Sequence, residues 1–182
     1  MQMEKNVFIE KLLKAALEDG IEAAEVYTSD HDSFRAMSTT GEITDYAVSS
    51  RSGLSLRGLY HGKMGYASTE AYDDDAIAML IRAVIESAEL VEDDAVQEIY
   101  HGDESYPQVD NYAPSLDEVT EEQKLKRRLE TEKCAMNSSD PRITQVQRNM
   151  ISTSSSAVHI VNSYGLDLSS RDNMAVAYIS VI

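Results

Sequence analysis

The sequence predicts an α+β fold, mostly antiparallel sheets with two to three helices. Three features predict it. Apolar residues recur at helical spacing near residues 3–18 and 73–88, a glycine-turned strand pair occupies residues 54–68, and β-prone segments return after Asp140-Pro141.

The first helix is expected from about Met3 to Glu18. Ile9, Leu12, Leu13, Ala16 and Leu17 share one helical face, and Gly20 is placed to stop it. Ala24 to Tyr27 and Ser33 to Met37 read as a strand pair around the turn-prone Ser29-Asp30-His31-Asp32. Thr40-Gly41-Glu42 is the next turn, and Ile43 to Ser49 and Gly53 to Tyr60 are two further strands.

The hairpin signal is clearest from Leu54 to Ser68. Leu54, Leu56 and Tyr60 alternate with Ser55 and Arg57, the period of a half-buried strand. His61-Gly62-Lys63 supplies the turn. Gly58 and Gly65 weaken the strands as packing units and mark a bulge or a close backbone approach.

A second helix starts at Asp73-Asp74-Asp75, whose carboxylates suit a cap and the positive end of the helix dipole. Ile77, Leu80, Ile81, Val84, Ile85 and Ala88 make it a core helix. Residues 92–115 lose periodicity and read as a long connection with Tyr100, Tyr106 and Tyr112, holding one short strand at Val96 to Tyr100. A third helix runs from Leu116 or Thr120 to Met136, with a capping box at Thr120-Glu121-Glu122-Gln123. Its apolar stripe is thin, so most of it is expected to face water.

Beyond Asp140-Pro141, the expected strands are Ile143 to Thr153, Ala157 to Ser163, Leu166 to Ser170 and Met174 to Ile182. The first two are separated by a Ser-rich turn, the next two by Tyr164-Gly165. The last is apolar up to the terminus, which leads to the expectation of a further domain beyond it. Residues 1–113 are taken as one α+β domain and residues 114–182 as the start of a second. A helix–strand–strand–strand unit echoes between residues 4–50 and 117–170; any α+β meander gives the same echo, and that is the favoured reading.

Composition restricts function. Apolar residues make up 42% and charged residues 26%, as in an ordinary globular protein, and 32 acidic against 16 basic residues give a net charge of −16. Such a surface repels phosphate backbones, so nucleic acid is not an expected partner. The cluster Lys124, Lys126, Arg127 and Arg128 sits among glutamates and reads as a solvated helix face. No stretch approaches a membrane span, and the N-terminal residues lack the pattern of a signal peptide. The cytoplasm is the expected location.

Catalytic chemistry is not assembled in the sequence. His31, His61, His101 and His159 lie too far apart to pair on one helical turn, and Cys134 is the single cysteine. Glycine spacing around Ser55 lacks the nucleophile elbow, because Arg57 stands where Gly is required. Gly62-Lys63-Met64 fails the phosphate loop at its hydroxyl position. No catalytic or metal-binding residue is assigned.

Several stretches together resemble the N-terminal part of the TldD/PmbA family, once named modulators of DNA gyrase. They are Gly53 to Glu70, Ala83 to Ala88, Gly102-Asp103 with Tyr106, Asp140-Pro141-Arg142-Ile143, and Asn162-Ser163-Tyr164-Gly165-Leu166. The likeness is closer to the PmbA (TldE-like) branch. It implies a zinc metallopeptidase system in which an H-E-x-x-x-H site lies in a C-terminal domain or in a partner subunit, with no cofactor in this chain. The implied partners are a TldD-type paralogue or a second copy, and a peptide substrate.

On that basis this chain is expected to be a non-catalytic part of the system, contributing to the substrate cleft or the dimer interface. The Gly-punctuated hairpin reads either as packed in the domain core, the favoured reading, or as a sheet edge for an extended peptide, with Arg57, Lys63 and Tyr66 as candidate substrate-binding residues. A protein–protein interaction module without peptidase involvement is the alternative. Regulation of DNA gyrase is the weaker one, opposed by the charge.

Overall fold

A computed structural model describes residues 3–92, 95, 97–138 and 140–182. The elements are α1 (Lys5–Glu18), β1 (Ala23–Thr39), β2 (Glu42–Tyr60), β3 (Lys63–Thr69), α2 (Asp74–Glu89), α3 (Pro114–Asp117), α4 (Glu121–Met136), β4 (Val146–Asn162) and β5 (Asp167–Val181). The strands form one antiparallel sheet in the order β3-β2-β1-β4-β5. The fold is α+β, as the patterning predicts.

Helix boundaries follow local chemistry. The Asp73 side chain accepts from Ala76 N at 2.9 Å and caps α2. Thr120 and Gln123 bond reciprocally at the start of α4, completing the expected capping box. On α1 the buried face is Phe8, Ile9, Leu12 and Ala16. The expected stripe therefore shifts by part of a turn, taking in Phe8 and leaving Leu17 exposed. The short strand expected at Val96 to Tyr100 begins on a residue outside those described, and residues 97–100 run without regular structure.

The long strands correct four expected turns or breaks. Ser29–Asp32 lies inside β1, residues 50–52 inside β2, the serines 154–156 inside β4, and residues 171–173 inside β5. Ser and Asp favour turns when their side chains have only local backbone to bond. Here they find distant partners. Asp30 receives Lys5 Nζ at 2.7 Å and Ser52 Oγ at 2.6 Å, and His31 Nδ1 lies 3.0 Å from Ser156 Oγ. With the polar groups satisfied across strands, the ladder continues.

The chain divides into two compact units. The first comprises residues 1–30, 52–108 and 158–170, the second residues 31–51, 109–157 and 171–182. In the first, α1 and α2 cover one sheet face through Phe8, Leu12, Val26, Leu56, Leu80 and Val84. On the other face Ala23, Leu59 and Met64 pack with Ile99 from the long connection. In the second unit α4 lies on β1 through charged and polar side chains. Arg128 is 3% exposed, hydrogen-bonds Ser38 through Nη1 and sits 3.3 Å from Glu132.

Arg128 therefore departs from the expected solvated face. Its aliphatic stem fills the position an apolar residue would take, while Glu132 and Ser38 engage the guanidinium. Among the described residues no helix is long and apolar enough to cross a membrane.

Lys5 ties α1 to β1 through Asp30, with a pH signature. Burial alone would raise the Asp30 carboxyl, but hydrogen bonds from Lys5 and Ser52 outweigh it and hold the pKa below the usual value. A depressed folded pKa stabilises the fold above the unfolded value, about 3.9. That contribution is lost as pH falls through the folded one. Asp30→Asn is expected to lower the urea midpoint at pH 7 and to have progressively less effect as pH falls below about 3.9 toward and through the folded pKa. A pH series of urea unfolding curves measures this; an equal shift at both ends rejects the assignment.

Candidate functional site

The β2–β3 hairpin turns through His61-Gly62, with φ of 49° and 73°. Two consecutive positive φ values make the type I′ turn that matches the twist of a hairpin. Tyr60 and Lys63 close the ladder, and the register continues through Gly58↔Gly65 and Arg57↔Tyr66. In a two-residue hairpin the hydrogen-bonded and non-hydrogen-bonded pairs alternate from the turn, which places Arg57 and Tyr66 in a non-hydrogen-bonded pair. Their side chains stand close together on one face. Lys63, three residues from Tyr66, falls on the opposite face. The structure thus brings two of the three candidate residues together and separates the third.

Arg57 is engaged from beneath. Its Nη2 lies 2.7 Å from Oε1 of Glu25, a β1 residue only 4% exposed. Glu25 Oε2 and Arg57 Nε are buried without a hydrogen-bond partner among the described residues. Part of the Arg57 charge is committed to neutralising a carboxylate that has almost no access to water. Tyr66 beside it is 61% exposed. The strand pattern of the sequence places Glu25 in β1 but does not reveal its pairing with Arg57. Alternation across Ala24-Glu25-Val26 puts Glu25 on the opposite face from its two apolar neighbours, but nothing local marks it as buried.

β3 is an edge of the sheet, as the candidate peptide site requires. The non-hydrogen-bonded position of Tyr66 turns its N–H and C=O away from β2, toward the open side. Both are met by α2. Ser87 Oγ accepts from Tyr66 N at 2.9 Å and lies 3.2 Å from the Tyr66 carbonyl. The close approach foreseen at Gly65 brings it against the carbonyl of Val84, where a Cβ would lie 1.8 Å from the oxygen. Strand addition is closed at Tyr66.

The histidines are scattered, as their spacing implies. His61 stacks on Tyr60 at 4.1 Å and His101 on Tyr164 at 3.8 Å. His159 Nε2 lies 2.7 Å from Asp167 Oδ1 across the β4–β5 hairpin. The connection tyrosines act as anchors. Tyr106 Oη accepts from Asp103 N at 2.7 Å, and Tyr112 donates to Asp117 while Arg171 Nη2 donates to it at 2.8 Å. Cys134 is exposed on α4.

Residues 24–88 match the family model described as PmbA/TldA metallopeptidase domain 1. Residues 114–182 match the one described as PmbA/TldA metallopeptidase central domain. The chain belongs to the PmbA/TldD metallopeptidase family. A search of the curated proteins finds no match. Among solved structures, a candidate modulator of a DNA gyrase from Thermotoga maritima superposes with a TM-score of 0.86 at 15% identity, over 97% of this chain. TldE from Thermococcus kodakarensis gives 0.81 at 19% over 96%. A candidate modulator of DNA gyrase from Bacteroides thetaiotaomicron gives 0.79 at 18% over 100%. At these identities the likeness speaks for the fold. The chain spans 39%, 39% and 42% of those proteins.

A metallopeptidase family implies a metal, and the donors among the described residues do not fit one. Among the described residues no three His, Cys, Asp or Glu side chains gather where an ion would bind, and His159 with Asp167 remains a pair.

Proposed function

We propose that this chain is a non-catalytic, N-terminal part of a PmbA/TldD-type metallopeptidase system that processes or degrades peptides in the cytoplasm. The observation that carries the reading is the match of both family domains in order, at residues 24–88 and 114–182. On this reading residues 1–113 and 114–182 act as domain 1 and the start of the central domain, and the branch is the TldE-like one. The zinc site belongs to residues outside this chain or to a TldD-type partner. The Arg57/Tyr66 face contributes a wall of the peptide cleft or of the dimer surface. Lys63, at the hairpin tip, takes part from its other side.

Peptide turnover by a TldD-type partner mixed with this chain tests the proposal. Tyr66→Ala removes an exposed aromatic and is expected to leave stability within about 0.5 kcal/mol. It is expected to lower kcat/KM about tenfold, the loss typical of an aromatic contact residue. Turnover that ignores both the chain and the substitution removes the proposal. Arg57 is better probed as the Arg57→Gln/Glu25→Gln pair, since the single change strands a buried carboxylate.

A second reading, an interaction module without peptidase involvement, draws on the stacked His101–Tyr164 pair, whose tyrosine is 45% exposed. Aromatic residues of this kind concentrate at interfaces. Tyr164→Ala weakening partner binding while turnover stays unchanged would favour it.

A further inference from the structure

β3 (Lys63–Thr69) is an edge strand with a single charged residue, no proline and an unbroken register with β2. An edge of that composition is a template for pairing with another chain. Counted from the His61-Gly62 turn, Met64, Tyr66 and Ser68 fall in non-hydrogen-bonded pairs with Leu59, Arg57 and Ser55. Their N–H and C=O groups therefore point away from β2. Tyr66 is the middle rung of the three.

That rung is occupied from within the chain. Ser87 Oγ accepts from Tyr66 N at 2.9 Å, and its proton is shared between the carbonyls of Tyr66 at 3.2 Å and Val84 at 3.0 Å. One hydroxyl thus meets both outward groups of Tyr66. The contact depends on Gly65. A Cβ there would lie 1.8 Å from the Val84 carbonyl oxygen, so only a bare backbone lets the last turns of α2 come this close. The serine stands where a neighbouring strand would bond.

With Ser87 displaced, the edge fits one partner through its main chain alone. In an antiparallel β3–β3 pair centred on Tyr66, the N–H of each copy meets the C=O of the other, and Met64 faces Ser68 on either side. The strand is complementary to itself about a twofold axis. Its occupant is then a second copy of this chain.

We propose that the end of α2 is a built-in guard, in which Ser87 latches over β3 and keeps that edge from pairing with β3 of a second copy. The inference stands on the geometry of the first unit and does not depend on the role proposed for the Arg57/Tyr66 face.

Sedimentation of the full chain over a concentration series tests it, at about 0.15 M salt, where charge repulsion is screened beyond about 8 Å. Gly65→Ala, which crowds α2 off β3, is expected to show a mass that rises with concentration above that of the unaltered chain. Gly58→Ala, whose Cβ meets only side-chain methyl groups, controls for lost stability and is expected to follow the unaltered chain. Gly65→Ala/Tyr66→Pro lacks the outward N–H and is expected to lose the association. Gly65→Ala/Tyr66→Ala keeps that N–H and is expected to retain it.

No rise for Gly65→Ala overturns the proposal, as does an equal rise for Gly58→Ala. Association that survives Tyr66→Pro overturns it too, and loss with Tyr66→Ala does so by assigning the contact to the ring. If Gly65→Ala does not fold, Ser87→Ala carries the test. Its Tyr66 amide is expected to exchange with solvent about tenfold faster, together with a rising mass. An unchanged rate or an unchanged mass then overturns the proposal.

Discussion

Gly65→Ala is expected to destabilise the first unit by about 3 kcal/mol or more, a large effect for the addition of one methyl group. The added carbon would sit 1.8 Å from the Val84 carbonyl oxygen and 2.7 Å from its carbon. Both are backbone atoms of α2, so no side-chain rotation relieves the overlap. Either the helix moves off β3 or the strand bends. The first choice pulls Ser87 from the Tyr66 backbone, leaving two outward groups to seek water.

Gly58→Ala is the internal control. Its Cβ would meet Ile21 Cγ2 at 2.7 Å and Val84 Cγ1 at 3.0 Å, methyl groups that can shift. About 1–2 kcal/mol is expected there. Urea denaturation of the two variants measures the difference. Equal midpoints for Gly65→Ala and the unaltered chain would refute the close packing of α2 on β3.

Arg57→Ala is expected to lose about 1–3 kcal/mol, less than for a fully buried ion pair because the Arg57 side chain is 35% exposed. The deciding fact is the asymmetry of burial. Glu25 is 4% exposed, whereas the Arg57 side chain is 35% exposed. Stripped of Arg57, the carboxylate loses its counter-charge in a site where it is 4% exposed. Stripped of Glu25, the guanidinium still reaches solvent. Glu25→Gln is therefore expected to be the milder change, and the double variant Glu25→Gln/Arg57→Gln to recover much of the loss. Chemical denaturation of all three variants gives the cycle. A Glu25→Gln effect as large as that of Arg57→Ala would contradict the asymmetry.

Much of the architecture is readable locally. The Asp73 cap, the Thr120–Gln123 capping box and the His61-Gly62 turn each act within three residues, so one stretch of chain suffices to identify them. Helical spacing from Ile77 to Ala88 picks out the buried face of α2 for the same reason. The α1 stripe was less legible, because Phe8 and Leu17 both fit an apolar arc and only packing against β1 and β2 chooses Phe8.

What lay beyond local reading shares one cause: the deciding partner is distant in sequence. Asp30 resembles a turn residue until Lys5, 25 positions away, bonds it. His31 meets Ser156 across 125 positions, and Arg128 meets Ser38 across 90. The candidate site shows the same division. Alternation from the turn predicts that Arg57 and Tyr66 share a face, but nothing near Arg57 reveals Glu25 beneath it or α2 closing the edge beside Tyr66.

Caps, turns and periodicity are energies of neighbouring residues, so they are written in the order of the chain. Burial and charge compensation are energies of the medium around a group, and that medium exists only once strands 20 to more than 100 residues apart have come together. Family membership and the α+β class belong to the first kind of information. The commitment of Arg57 and the burial of Arg128 belong to the second.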